Sequence, residues 1–100
     1  MSIYLDKLQR TAKELTRYTH TASSFAAQQQ HQQALEHYVW ADVLIEHAIL
    51  LCEAGIENDA ENADIFRSLI VVFDSIHQAA EIAIFKATLD LRASELGETN

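Results

Sequence analysis

The sequence contains no proline and only two glycines, Gly55 and Gly97, among its 100 residues. All-β folds need many tight turns, and tight turns lean on these two residue types, so an all-β architecture is excluded. The single cysteine, Cys52, leaves no partner for an intrachain disulfide, which fits a reducing compartment. Cys52 lies in an apolar run, where a small buried hydrophobe is expected. A nucleophile would need a neighbouring base and a lowered pKa.

Long apolar runs are missing as well. Uninterrupted runs reach only five residues, as in Leu69–Phe73, against the ~20 that cross a bilayer. Met1–Arg10 is amphipathic and charged, without the apolar segment of a secretory leader. These features predict a cytoplasmic protein with no membrane attachment. Basic residues are scarce and clustered. Four of the seven (Lys7, Arg10, Lys13 and Arg17) fall in the first seventeen positions, and none lies between Tyr18 and Phe66, a stretch that holds eight acids. The net charge of −8 repels phosphate backbones, so nucleic acid is not an expected partner. Basic or amphipathic protein segments suit such a surface better.

Catalytic signatures are equally absent: there is no glycine-rich phosphate loop, no zinc-type cysteine pair and no nucleophile elbow. Ser23, Ser24 and Ser75 fall within helical patterns and show no sign of a triad. The chain is expected not to be an enzyme and to carry no cofactor.

What is present is a helical vocabulary. Ala, Leu, Gln and Glu dominate, all of them good helix formers, and the length suits one all-α domain over residues 1–100. A first helix is predicted to start after Ser2, a good N-cap. Its buried stripe is Leu5, Leu8, Ala12, Leu15, Ala22 and Ala26, at three-four spacing. The hydroxyl-rich and β-branched stretch 16–24 weakens this helix without ending it. A turn is expected near Gln29–His31, then a second helix from about Gln32 to Ala54, stopped by Gly55. That helix is apolar most of the way round, which places it at the centre of the domain or in an oligomer contact. Residues 56–61 read as a loop, with Asn58 and Asn62 offering N-caps. A third helix should run from about Ala63 to Leu96, stopped by Gly97. It carries two seams. Phe66, Leu69, Phe73, Ile76, Ala80, Ala83 and Ala87 keep a 3.5-residue, coiled-coil-like spacing, and Ile65, Val72, Ala79, Ile82 and Leu89 form another. Three helices in a monomer cannot bury both, which predicts a homodimer or higher oligomer.

The most specific pattern lies between Tyr18 and Glu46. Ala22 is followed three residues later by Phe25 and twelve later by Ala34, then by Tyr38 and Ala41, with Tyr18 as an early aromatic and a turn near Gln29–His31. In these positions residues 18–46 resemble a tetratricopeptide repeat, a helix–turn–helix unit with small residues at the helix crossing and aromatics between. Thr21 replaces the repeat's early leucine and Glu46 its closing proline. A fainter echo (Ser68, Val71, Ala80, Ile84, Ala87) starts 46 rather than 34 residues on. The resemblance implies a scaffold that binds peptides or helices. By size, charge and class, small acidic bacterial-type chaperones of type III secretion subunits are similar.

Together these features predict three long antiparallel helices, the first two forming a repeat-like hairpin, in a non-catalytic protein-binding module such as an adaptor or secretion-type chaperone. Phe25, Tyr38, Trp40, Ile70, Val71 and Phe73 are the candidates for the partner surface, whether the partner is another protein or a second copy. One alternative is a ferritin-like, metal-binding bundle. Ferritin-like sites use Glu-x-x-His pairs; here there is none, and Asp74-x-x-His77 has no twin. A site could only be assembled from separate helices, for instance from His37, Glu46 and His77, while surface or hydrogen-bonded histidines need no metal at all. A third reading is a purely structural homo-oligomer.

Overall fold

The computed structural model describes residues 2–97. Three helices follow in order: α1 (Ile3–Ala27), α2 (His31–Asn58) and α3 (Ala63–Glu95), with a single 3-10 turn (Ala60–Asn62) before the last. The all-α, three-helix expectation holds, and no strand occurs among the described residues. α2 lies between its neighbours and packs along both. α1 and α3 meet chiefly through side chains, as where the rings of Tyr4 and Phe66 stand edge to face with centroids 6.3 Å apart.

The helix ends follow from local chemistry. The Ser2 hydroxyl accepts the Leu5 amide at 3.3 Å, capping α1. α1 runs unbroken through its hydroxyl-rich stretch, helped by burial of Ala22. It ends in a Schellman motif: the Gln30 amide donates to the Phe25 carbonyl and the Gln29 amide to the Ala26 carbonyl. Gln29 takes the left-handed conformation (φ 60°) that glycine usually supplies. Gly97 (φ 69°) does the same job after α3, as expected.

The end of α2 corrects the sequence reading. Gly55 does not stop the helix, which continues to Asn58, so the expected loop of residues 56–61 shrinks to Asp59 and the 3-10 turn. Gly55 is buried, and a Cβ there would lie 2.6–2.8 Å from carbons of the Phe66 ring. The glycine is needed for tertiary clearance, not for a turn. Asn58 does not cap the next helix; its side-chain amide donates back to the Ala54 carbonyl at 2.9 Å. Asn62 stands at the N-cap position of α3 without a side-chain capping bond. It donates instead to Asp59 Oδ2 at 3.0 Å, and the Ser2 hydroxyl donates to the same oxygen at 2.6 Å. Asp59 thereby ties the start of α1 to the α2–α3 connection.

The core is one cluster built from Leu8 and Leu15 of α1, Ala41, Ile45, Ala48, Leu51 and Cys52 of α2, and Phe66 and Phe73 of α3. Phe66, Ile45 and Cys52 are its largest fully enclosed side chains. The molecule is elongated, 59 × 18 × 13 Å, with a radius of gyration of 16.2 Å against roughly 13 Å for a compact chain of this length. Its accessible surface is 6770 Å², where roughly 5,700 Å² is expected from a mass of 11.3 kDa.

Candidate functional site

Part of the exposed surface is formed by large apolar side chains. The two seams of α3 divide: in the first, Phe66, Phe73 and Ala87 are buried and Leu69, Ala80 and Ala83 partly so, while Ile76 is exposed. Every member of the second seam, Ile65, Val72, Ala79, Ile82 and Leu89, is exposed. Ile82 is 70% exposed, Phe85 beside it 65% and Val71 67%. The outward side of α2 adds Val39, Val43, Leu50 and Trp40, the last 57% exposed. Scattered exposed aliphatics are ordinary, but a continuous line of them on a helix marks a surface built to be covered.

The segment Ala60–Glu95 contains an 18-residue window of mean hydropathy 1.4, of which 6% is buried in the fold. By length and composition it is apolar enough to cross a membrane. Uninterrupted runs conceal this, because single polar residues such as Asp74 and His77 break a run without lowering the average enough.

The six candidates for a partner surface do not share one face. Val71 and Trp40 are exposed, on α3 and α2 respectively. Phe73 is 7% exposed and part of the core, and Ile70 packs against that core. Phe25 is half-buried in the α1–α2 hairpin, its ring centroid 5.1 Å from that of His37. Tyr38 is half-buried as well, with its hydroxyl 3.2 Å from that of Ser23. Phe85, Ile82 and Leu96 belong to the exposed surface and lie outside those six. Their common line down α3 is the signal that marks them in the sequence.

A polar cluster occupies one edge of the α2–α3 contact. Asp42 and Glu46 stand one turn apart on α2, and His77 and Glu81 one turn apart on the antiparallel α3, so each pair projects from a single helix face. His77 Nδ1 lies 2.6 Å from Asp42 Oδ1, and its Nε2 lies 2.8 Å from Glu81 Oε1. Carboxylate oxygens face both ring nitrogens, an arrangement that favours the protonated imidazole. The hydrogen bond to Asp42 raises the His77 pKa above its ordinary value against some desolvation, and the charges of Asp42, Glu81 and Glu46 push the same way. Of the trio His37, Glu46 and His77, the fold brings only the last two together, with Asp42 added. His37 instead lies on the α1 side, 5.8 Å from the Tyr18 ring by centroids, its Nδ1 2.7 Å from the Gln33 carbonyl.

Two other features bear on chemistry. An indentation of about 80 Å³ lies between Ala26, Tyr38, Ala83, Lys86, Ala87 and Asp90; small-molecule sites are commonly ~300–1,000 Å³. Cys52 is enclosed, and burial, followed by the charge of Glu53, pushes its thiol pKa up and away from nucleophilic use. No protein-family model matches the chain, and no curated protein or solved structure shows significant similarity to it.

Proposed function

We propose that this protein is a non-catalytic helix-pairing module that acts as a homodimer, using the outward seam of α3 as its contact. The observation that carries the reading is that seam: Ile65, Val72, Ala79, Ile82 and Leu89, separated by seven, seven, three and seven residues and all facing solvent. This period keeps one helix against another over many turns, and a solvated helix has no use for it.

A second copy is the occupant that size and chemistry favour. The surface beyond that of a compact monomer is on the order of 1,000 Å², about one partner's share of a stable interface. Ser68, Ser75 and Ala79 lie along the seam and let two backbones approach. Lys86 is the one ionic residue in the line, held toward Asp90 at 3.7 Å. A single lysine at such a position selects register in paired helices at some cost in stability. Val71 and Phe85 widen the contact on one side. Burial of Ala22, Ala34 and Ala41 at the α1–α2 crossing supports a repeat-like hairpin as the scaffold, and the unpaired cysteine accords with the cytoplasm.

The test is the mass of the full chain in solution by light scattering, with Ile82→Lys as the disrupted control. A dimer that becomes a folded monomer on substitution is the expected result. A wild-type chain that is monomeric at roughly 100 μM sinks the proposal. Flotation of that monomer with phospholipid vesicles would assign the face to lipid. Stoichiometric capture of another protein, lost in Ile82→Lys, would assign it to an adaptor or chaperone role.

A further inference from the structure

The cluster at the α2–α3 edge has a composition that helix pairing does not require. Three carboxylates, Asp42, Glu46 and Glu81, surround one imidazole, and none of the three is paired with a lysine or arginine among the described residues. α2 carries no Lys or Arg along its whole length. A ligand atom from each of Asp42, Glu46 and His77 lies within 4.8 Å of the other two. In a tetrahedral zinc site with bonds of about 2.1 Å, ligands stand about 3.4 Å apart. His77 and Asp42 would part slightly to reach that spacing and Glu46 would close in, and Glu46 is exposed.

We propose that Asp42, Glu46 and His77 bind one divalent transition-metal ion of the zinc class, with Glu81 as the positioning residue behind the histidine. The geometry assigns the two ring nitrogens different tasks. Nε2 donates to Glu81 Oε1, which fixes the tautomer and turns Nδ1 toward α2. A carboxylate behind a metal-bound histidine is the usual outer partner, and it raises the basicity of the ligating nitrogen. The proton between Nδ1 and Asp42 leaves to solvent when the ion enters, and the N–H···O bond becomes N–metal–O. The imidazole selects against magnesium and calcium, which prefer all-oxygen shells. Three protein ligands leave a fourth position for water. The ion would cross-link α2 to α3 on an edge away from the seam of exposed aliphatics, so the site stands independently of the dimer.

The experiment is calorimetric titration of the intact, metal-stripped protein with zinc chloride at neutral pH, with magnesium chloride as the contrast. Metal content after desalting gives the stoichiometry. One zinc per chain and no magnesium uptake are expected. His77→Ala should abolish binding and Glu46→Gln weaken it at least tenfold. Glu81→Ala should weaken it roughly tenfold, the usual loss when an outer partner is removed. Ile82→Lys should leave it unchanged, whatever happens to the dimer. Absence of zinc binding at 100 μM overturns the proposal, as does binding that survives His77→Ala, since four other histidines are present. Loss in Ile82→Lys would overturn the assignment to a single chain. If His77→Ala fails to fold, Glu46→Gln decides: folded with unchanged affinity, it overturns the site.

Discussion

Along α3, Phe66, Phe73, Ala80 and Ala87 recur every seven residues and face α2, while Ile65, Val72, Ile82 and Leu89 run down the same helix and face water. The inner line tapers along the helix. It starts with rings and ends with methyl groups, as α3 closes on the alanine-rich end formed by Ala22, Ala26 and Ala34. Where the inner line is lightest, Ile82, Phe85 and Leu89 are exposed on the outer side. Close packing at the alanine end rests on small volume, not on greater hydrophobicity. The large side chains that would not fit there are displayed on the opposite face.

The strongest way to break this contrast is at the head of the inner line. Phe66→Ala should remove about 3–5 kcal/mol of stability, read from urea unfolding at fixed protein concentration so that association does not confound it. Gly55→Ala attacks the same packing from α2. Its methyl group would sit 2.6–2.8 Å from an enclosed ring, and a loss of about 1–3 kcal/mol is expected. A gain would show that the ring shifts freely. On the outer line the prediction reverses: Val71→Lys should change the stability of the isolated chain by no more than about 0.5 kcal/mol. It should lower the dimer fraction seen by sedimentation. An equal stability loss at Val71 and Phe66 would erase the distinction between the faces.

The smallest expected effect lies where the inner line begins. The Ser2 hydroxyl, then the Asn62 amide, holds the Asp59 carboxyl below its ordinary value of 3.8. A carboxylate with a depressed folded pKa stabilises the fold above its unfolded pKa, and the contribution is lost as pH falls through the folded value. Asp59→Asn should therefore unfold at lower urea than wild type at pH 7, and the gap should close as the pH drops below 3.8. A gap of the same size at acid pH would mean that the carboxylate charge plays no part.

The sequence announces much of this arrangement where local rules decide. Ser2, Gly97 and both seams of α3 are readable because capping, left-handed termination and periodicity each depend on a few adjacent residues. Which seam faces inward is a tertiary choice, and it rests on Gly55 receiving the ring of Phe66, eleven positions away in sequence. The same contact disguises Gly55 as a helix stop. The turn after α1 is legible from its polar residues, yet nothing about Gln29 signals that it adopts φ 60°. At the polar edge, Asp42-x-x-x-Glu46 and His77-x-x-x-Glu81 are visible one-turn pairs. Only the register between antiparallel helices sets one against the other. His37 fails as their companion because its position on α2 turns it toward α1.

The central position of α2 also governs how the chain gets to its native state. α1 packs along α2 and α2 along α3, so nearly every backbone approach joins helices that are neighbours in sequence. Little loop entropy is spent before contacts form, and chains with such low contact order reach the native state in microseconds to milliseconds. Two hairpins share one strut, and either can nucleate on it. The route ends with the outer face of α3 uncovered, so any encounter between copies is a second, concentration-dependent phase after a first that is not.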